Sequence, residues 1–269
     1  MKKNQTQKVI DEALEQLAAA LANGQSEALT QYLSAMAKFS AYSLGNLLLI
    51  LAQRPEATRV AGYRTWQGLG RYVKKSEKGI LITAPIVFSK KRGDRHSRAP
   101  PIPKEEDTIL LFKAVHVFDI SQTDGKPLPD PARVGGNPDG HTEKLKAFVA
   151  SKGIALDYSS SLGTADGRSL GRRITLRERL SPAEEFSVLV HEIAHCLLHC
   201  RGVATTRTVC ETEAEAVAFV ACQAIGLETG SSSSDYIQIY RGDKGTFAQS
   251  LDRIQKTTSA ILEAITTGA

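Results

Sequence analysis

Apolar residues recur at helical spacing over residues 5–22, where Ile10, Leu14, Leu17 and Leu21 fall on one stripe, and an amphipathic helix is expected there. Gly24 stands just past it, where a left-handed cap is wanted. The same period predicts helices over Ser26–Lys38 and Ser43–Gln53, the second stopped before Pro55. Residues 59–73 break the period and read as a turn-rich, aromatic and basic segment. Lys74–Gly79 reads as a turn, Ile80–Phe88 as a strand whose Pro85 points to a sheet edge, and Thr108–Ile120 as another strand. Lys90–Lys104, between them, is Pro-rich and basic and reads as a loop. Pro127, Pro129, Pro131, Gly135, Gly136, Pro138 and Gly140 then mark residues 126–140 as a linker. Beyond it come a helix at His141–Ser151 and strands at Ile154–Ser160 and Arg173–Arg179 around a Gly163–Gly167 turn. Ser181-Pro182 starts a long helix, with an N-cap serine, proline at the first position and acid in the first turn. Further helices are expected from about Cys210 to Ile225 and over Thr246–Thr266. The pattern predicts an α+β protein in two parts, a small helical and β-meander domain at 1–125 and an α+β domain at 141–269.

Composition narrows the class. The 269 residues are 42% hydrophobic and 23% charged, ordinary for a globular chain. No apolar run approaches the roughly 18–20 residues of a membrane span, and Leu44–Leu51 is interrupted by Gly45 and Asn46. Met1-Lys2-Lys3 is followed by polar residues rather than a leader-type apolar stretch, so a cytoplasmic protein without membrane partners is expected. Cys196, Cys200, Cys210 and Cys222 form no CxxC and read as buried, reduced thiols. The net charge of +5 is unevenly spread. Lys38–Lys104 holds 14 Lys and Arg against 3 acids, whereas from Lys126 onward 16 bases face 17 acids. A positive field in the first half suits a polyanion.

One stretch carries metal chemistry. His191-Glu192-Ile193-Ala194-His195 is an HExxH match inside the long apolar helix. Residues four apart share a helix face, so both imidazoles can reach one tetrahedral ion, with Glu192 beside them to take a proton from water. A third protein ligand is needed, and the next helix offers Glu211, Glu213 and Glu215. Glu211, Ala214, Glu215, Ala218 and Cys222 fall on one face, and the alanines allow close approach. Glu211 is therefore the expected ligand and Glu215 the carboxylate that orients a histidine. Glu213, about 200° round from Glu211, is expected to face solvent. Thr208 and Glu211 are also spaced as a capping box, so a purely structural Glu211 stays open. His199, a further turn on, reads as a helix-end charge.

The two strands, the HExxH helix and the Glu- and Ala-rich helix after it resemble the gluzincin-like metallopeptidase domain of the ImmA/IrrE group. Glu211-Thr-Glu-Ala-Glu-Ala-Val-Ala-Phe219 and the trailing Ser234-Asp-Tyr-Ile237 resemble, more closely, the ArdC-type antirestriction proteins. So do Tyr42–Ile50, Gly62–Trp66 and Gly70–Ile80 in the first half. The resemblance implies a zinc site in the second half and a single-stranded-DNA-binding module in the first. An ImmA-like alignment would place the third ligand at Glu213.

Single strands bind grooves that combine positive charge with aromatic stacking. Tyr63, Trp66 and Tyr72 are interleaved with Arg64, Arg71, Lys74, Lys75 and Lys78. Trp66, Tyr72 and these five cations are the candidate DNA contacts. The expected function is a DNA-associated Zn2+ metallopeptidase, with Glu192 as catalytic base toward a protein substrate and Tyr236 and Tyr240 as candidate oxyanion donors. The alternatives are a non-catalytic single-strand-binding antirestriction protein with a structural zinc, and a repressor-cleaving protease.

Overall fold

The structure, a computed structural model, describes residues 3–89, 108–127, 138, 140–199, 206–227 and 244–267. The expected basic loop at 90–104, Cys200, Tyr236, Tyr240 and most of the expected linker lie outside them. Helices α1 (Lys3–Ala22), α2 (Ser26–Lys38) and α3 (Leu44–Gln53) form where the period expects them. Gly24 takes its positive φ of 78° after the first. The division into parts differs from the expectation. Residues 1–10 with 48–127 form one compact unit, and residues 11–47 belong with 128–269. The reason is the apolar stripe of α2. Leu29, Leu33 and Met36 are fully buried, and α2 packs on a helix of the second unit.

The first unit is built on a three-stranded antiparallel sheet in the order β1 (Val60–Gly62), β4 (Thr108–Asp119), β3 (Ile80–Ser89). β3 lies at the edge, as Pro85 implies. The segment at 59–73 is more regular than its composition, holding β1, the short helix α4 (Tyr63–Gly68) and β2 (Arg71–Val73). β2 pairs with β5 (Thr123–Gly125) in a separate ribbon.

Asp119 ties this unit together. It is 2% exposed, and its carboxylate accepts from the backbone N–H of Thr58, Arg59 and Ser121 at 2.9–3.0 Å. Burial pushes its pKa up, but these hydrogen bonds outweigh burial and hold it below the ordinary carboxylate range. A depressed folded-state pKa means that Asp119 contributes its full stabilisation above the unfolded-state value. That contribution is lost as pH falls through the folded value. Asp119→Ala orphans three donors and is expected to cost about 3 kcal/mol. In urea titrations of wild type and variant, the gap between the two should be widest near neutrality and close at acid pH; a gap independent of pH would refute the assignment.

The second unit has a sheet in the order β6 (Ala155–Ser159), β8 (Arg173–Arg177), β7 (Gly167–Leu170). β6 runs parallel to β8, and β7, which the sequence does not announce, is antiparallel to it at the edge. Helices α5 (His141–Ser151), α6 (Pro182–Leu198), α7 (Arg207–Ala224) and α8 (Lys244–Thr267) complete the unit. α7 packs against α2, α6 and α8, so it is covered on nearly every side. Its Ala214, Ala216, Ala218 and Ala221 are all buried, and small side chains let the three neighbours approach. The Cys196 thiol donates to the Gly171 carbonyl at 3.5 Å, Cys210 and Cys222 are free thiols, and burial pushes the Cys222 thiol up to about 11. Among the described residues no helix is long and apolar enough to cross a membrane.

Candidate functional site

α6 begins with a complete capping box, Ser181 accepting from the Glu184 N–H and Glu184 accepting from the Ser181 N–H. That start fixes the rotation of the helix. Phe186, Leu189, Val190, Ile193 and Ala194 are fully buried, while His191 and His195 line an open cleft of about 610 Å3. α7 starts at Arg207 with Thr206 as its N-cap, accepting from the Val209 N–H. Thr208 therefore lies inside the helix, and Glu211 does not cap it.

Glu211 instead reaches across to α6. Its Oε2 lies 3.5 Å from His191 Nε2 and 3.3 Å from His195 Nε2, and the two Nε2 atoms are 3.0 Å apart. A tetrahedral ion with bonds of about 2.1 Å keeps its donors about 3.4 Å apart. Three donors with these separations can hold one divalent ion with a face left open to the cleft, and they form the group of metal-capable side chains found among the described residues. Glu215 Oε2 lies 3.4 Å from His191 Nδ1, so a proton on Nδ1 leaves the Nε2 lone pair directed at the ion position. The donor set fits a metal.

The acidic surroundings act on the imidazoles. Burial pushes His191 down, but the Glu215 contact and the nearby Glu192 and Glu211 carry it above its ordinary value. Burial and His191 together hold His195 below its own. Glu192 lines the same cleft and is 6% exposed. β7 runs beside it so closely that a Cβ at Gly167 would lie 2.7 Å from Glu192 Oε1 and 2.6 Å from Val188 Cγ1. Glycine at 167 lets the edge strand pass against the carboxylate. Sequence reasoning missed this role; a glycine closing a turn ahead of the HExxH helix was the available signal.

Two expectations change in this unit. Glu213 does not face solvent. It is fully buried, bonded to Ser250 and Arg253 of α8, with Oε2 3.6 Å from His199 Nε2. The angle from Glu211 is as expected, but α8 covers that side of α7. His199 is the C-cap of α6 with a side chain 12% exposed. Burial holds its pKa below the ordinary value, which disfavours the helix-end charge expected of it.

The basic candidates separate as well. Arg64, Tyr72, Lys74, Lys75 and Lys78 are exposed. Lys74 also bonds the Ser121 carbonyl at 3.0 Å. Trp66 is fully buried and its Nε1–H donates to the Phe118 carbonyl at 2.9 Å, so the indole cannot stack on a base. Arg71 is committed to its own fold, its guanidinium donating to Thr123 Oγ1 and to the Thr123 and Lys126 carbonyls. Turn-rich composition hid the small core that claims both side chains.

Comparison with known proteins finds a match in each half of the chain. Residues 3–118 match the N-terminal domain of anti-restriction factor ArdC, and residues 143–223 match the IrrE N-terminal-like domain of the peptidase M78 family. An uncharacterised protein of Bacillus anthracis is 27% identical over 276 residues, a match covering 86% of this chain and 46% of that protein. The chain thus spans under half the length of that relative. The antirestriction ArdC protein from R388 plasmid has crystal structures in metal-free and Mn(II)-bound forms. They superpose with TM-scores of 0.56 and 0.55 at 19% and 20% identity, covering 96% and 97% of this chain and 98% and 99% of those chains. At that identity the likeness is one of fold. The chain thus joins a segment matching the ArdC amino-terminal domain to one matching the IrrE-like domain, the two-domain arrangement expected of an ArdC-type protein.

Proposed function

We propose that this protein is a DNA-associated metallopeptidase of the antirestriction class, binding single-stranded DNA with its first unit and hydrolysing a peptide bond of a protein substrate with its second. The observation that carries the reading is the triangle of His191, His195 and Glu211 donors, 3.0–3.5 Å on a side, with buried Glu192 on the same cleft. His191, His195 and Glu211 would hold the ion, and Glu215 would fix the His191 ring. Two imidazoles and one carboxylate suit Zn2+, which such a site binds more tightly than Mn2+; the Mn(II) in the plasmid ArdC supports a divalent ion of this general kind. Bound there, the metal supplies Lewis acidity toward a carbonyl and lowers the pKa of water. Glu192 takes the proton from the attacking water and returns it to the leaving amine. Arg64, Tyr72, Lys74, Lys75 and Lys78 support the DNA half by their exposure and charge.

The test is protection of incoming DNA in a restricting host, read beside the metal content of the purified protein. Glu192→Gln keeps the shape of the site and should retain its metal. Loss of the general base should cut hydrolysis by about 10²–10⁴-fold and protection with it. Full protection by a metal-loaded Glu192→Gln protein would sink the peptidase half. Absence of salt-dependent binding to a single-stranded oligonucleotide would sink the DNA half.

A further inference from the structure

The burial of Trp66 removes one ring from the aromatic surface that the sequence advertised, and β4 supplies others. Side chains on a strand alternate between faces, and directly paired residues of antiparallel strands share a face. Val117 pairs with Ile80 and Val115 with Ile82. Val117, Ile80 and Ile82 are 3–5% exposed, so this face is the core. The opposite face of β4 carries Phe112, Ala114, His116 and Phe118. Phe112 is 60% exposed, Ala114 and His116 are exposed, and Phe118 is half-buried. Tyr63, 49% exposed, stands edge-on to Phe118 with ring centroids 6.5 Å apart.

The neighbours keep this face open. A Cβ at Gly79 would lie 2.8 Å from His116 Cβ and 3.1 Å from Phe118 Cζ, so the glycine lets both rings lie against the adjoining strand end. Exposed Ala114 leaves a low place between Phe112 and His116, which lie about 14 Å apart along an extended strand. Leu81, paired with His116 and so on the same face, is 4% exposed, and Gln53 bonds its N–H and carbonyl at the β3 edge, so the open part of this face is that of β4 at Phe112, Ala114 and His116. A strand face that keeps Phe112 and His116 in water, with Phe118 half-buried beside them, exposes area that packing would normally hide.

We infer that the open face of β4, bearing Phe112, His116 and Phe118 with Tyr63 beside them, is the base-stacking platform for single-stranded DNA. The inference rests on the DNA-binding half of the proposed function and names its surface. Charge favours this occupant: exposed Arg64 and Lys78 adjoin Tyr63 and Gly79, and Lys38–Lys104 carries 14 bases against 3 acids. Aromatic side chains on a sheet face bind single strands because every base offers a π-face. Tyr72, on the separate β2–β5 ribbon, is the competing platform.

The test uses the full chain and a fluorescein-labelled oligothymidylate, read by anisotropy across a salt series. Phe112→Ala should weaken binding about tenfold, and Phe112→Ala with His116→Ala about a hundredfold. For Phe112→Ala the slope of log Kd against log salt should stay that of wild type, because phenylalanine carries no charge. Phe112→Trp should restore affinity. A labelled abasic strand, which has phosphates but no bases, should bind wild type and Phe112→Ala alike. Phe112 and His116 are exposed, so matching thermal melts are expected and check the fold. Wild-type affinity in both alanine variants overturns the platform and leaves DNA binding standing, whereas no salt-dependent binding by wild type itself removes both.

Discussion

Alanine at Glu213 is expected to destabilise the second unit by about 3–5 kcal/mol, a large share of a domain's stability. Glu213 has no exposed side-chain surface, and it joins α7 to Ser250 and Arg253 of α8 and lies near His199 at the end of α6. Its removal takes from the half-buried Arg253 guanidinium the carboxylate it bonds at the α7–α8 contact. Arg253 keeps 30% exposure, so some hydration returns and the lower end of the range is favoured. Thermal melting should show a fall of about 6–12 °C for a loss of 3 kcal/mol. Replacing both partners, Glu213→Leu with Arg253→Met, should recover much of it, because a buried ion pair costs nearly as much desolvation as it returns. A fall in melting temperature of under about 2 °C for Glu213→Ala would show that the pair contributes little.

Alanine at Glu211 should do the reverse, sparing the fold and emptying the site. Its side chain is half exposed, and its other carboxylate oxygen lies 3.7 Å from the 93% exposed Arg207, so little packing is lost. Apparent zinc affinities of about 10–16 kcal/mol shared over four ligands give each roughly 3 kcal/mol, or two to three orders of magnitude in affinity. Competition with a chromophoric chelator should show that drop for Glu211→Ala. Glu215→Ala should lose about 10–100-fold, as removal of a group that orients a ligand does. Folded Glu213→Ala should bind as wild type does. An unchanged affinity in Glu211→Ala would remove it from the ligand set.

These two carboxylates mark where sequence and structure part. The i, i+4 spacing of His191 and His195 places two imidazoles on one face of any helix they form, and the start at Ser181-Pro182 ensures that helix. The period of α7 likewise puts Glu211 and Glu215 on a shared face, away from Glu213. Local periodicity fixes such angles because each helix closes its own hydrogen bonds. Chain order also announced β3, β4 and the edge position of Pro85, and the basic balance of the first half needed only counting.

What lies against a given face depends on residues far away in the chain. Glu213 is buried because α8, some 40 positions later, covers the second side of α7. Trp66 is buried because β4 offers the Phe118 carbonyl across 52 positions. Gly-Arg-Ser-Leu at 167–170 carries no β-branched residue, and it becomes β7 only because β8 is there to pair with it. Phe112, His116 and Phe118 share one face of any strand they form, but which face meets the core is a tertiary matter. The sequence alone determined the helices, the HExxH pair and the distribution of charge. Only the packed fold decided which carboxylate meets the histidines, which one is sealed in the core, and which rings stay in water, because burial is a property of neighbours that no local pattern encodes.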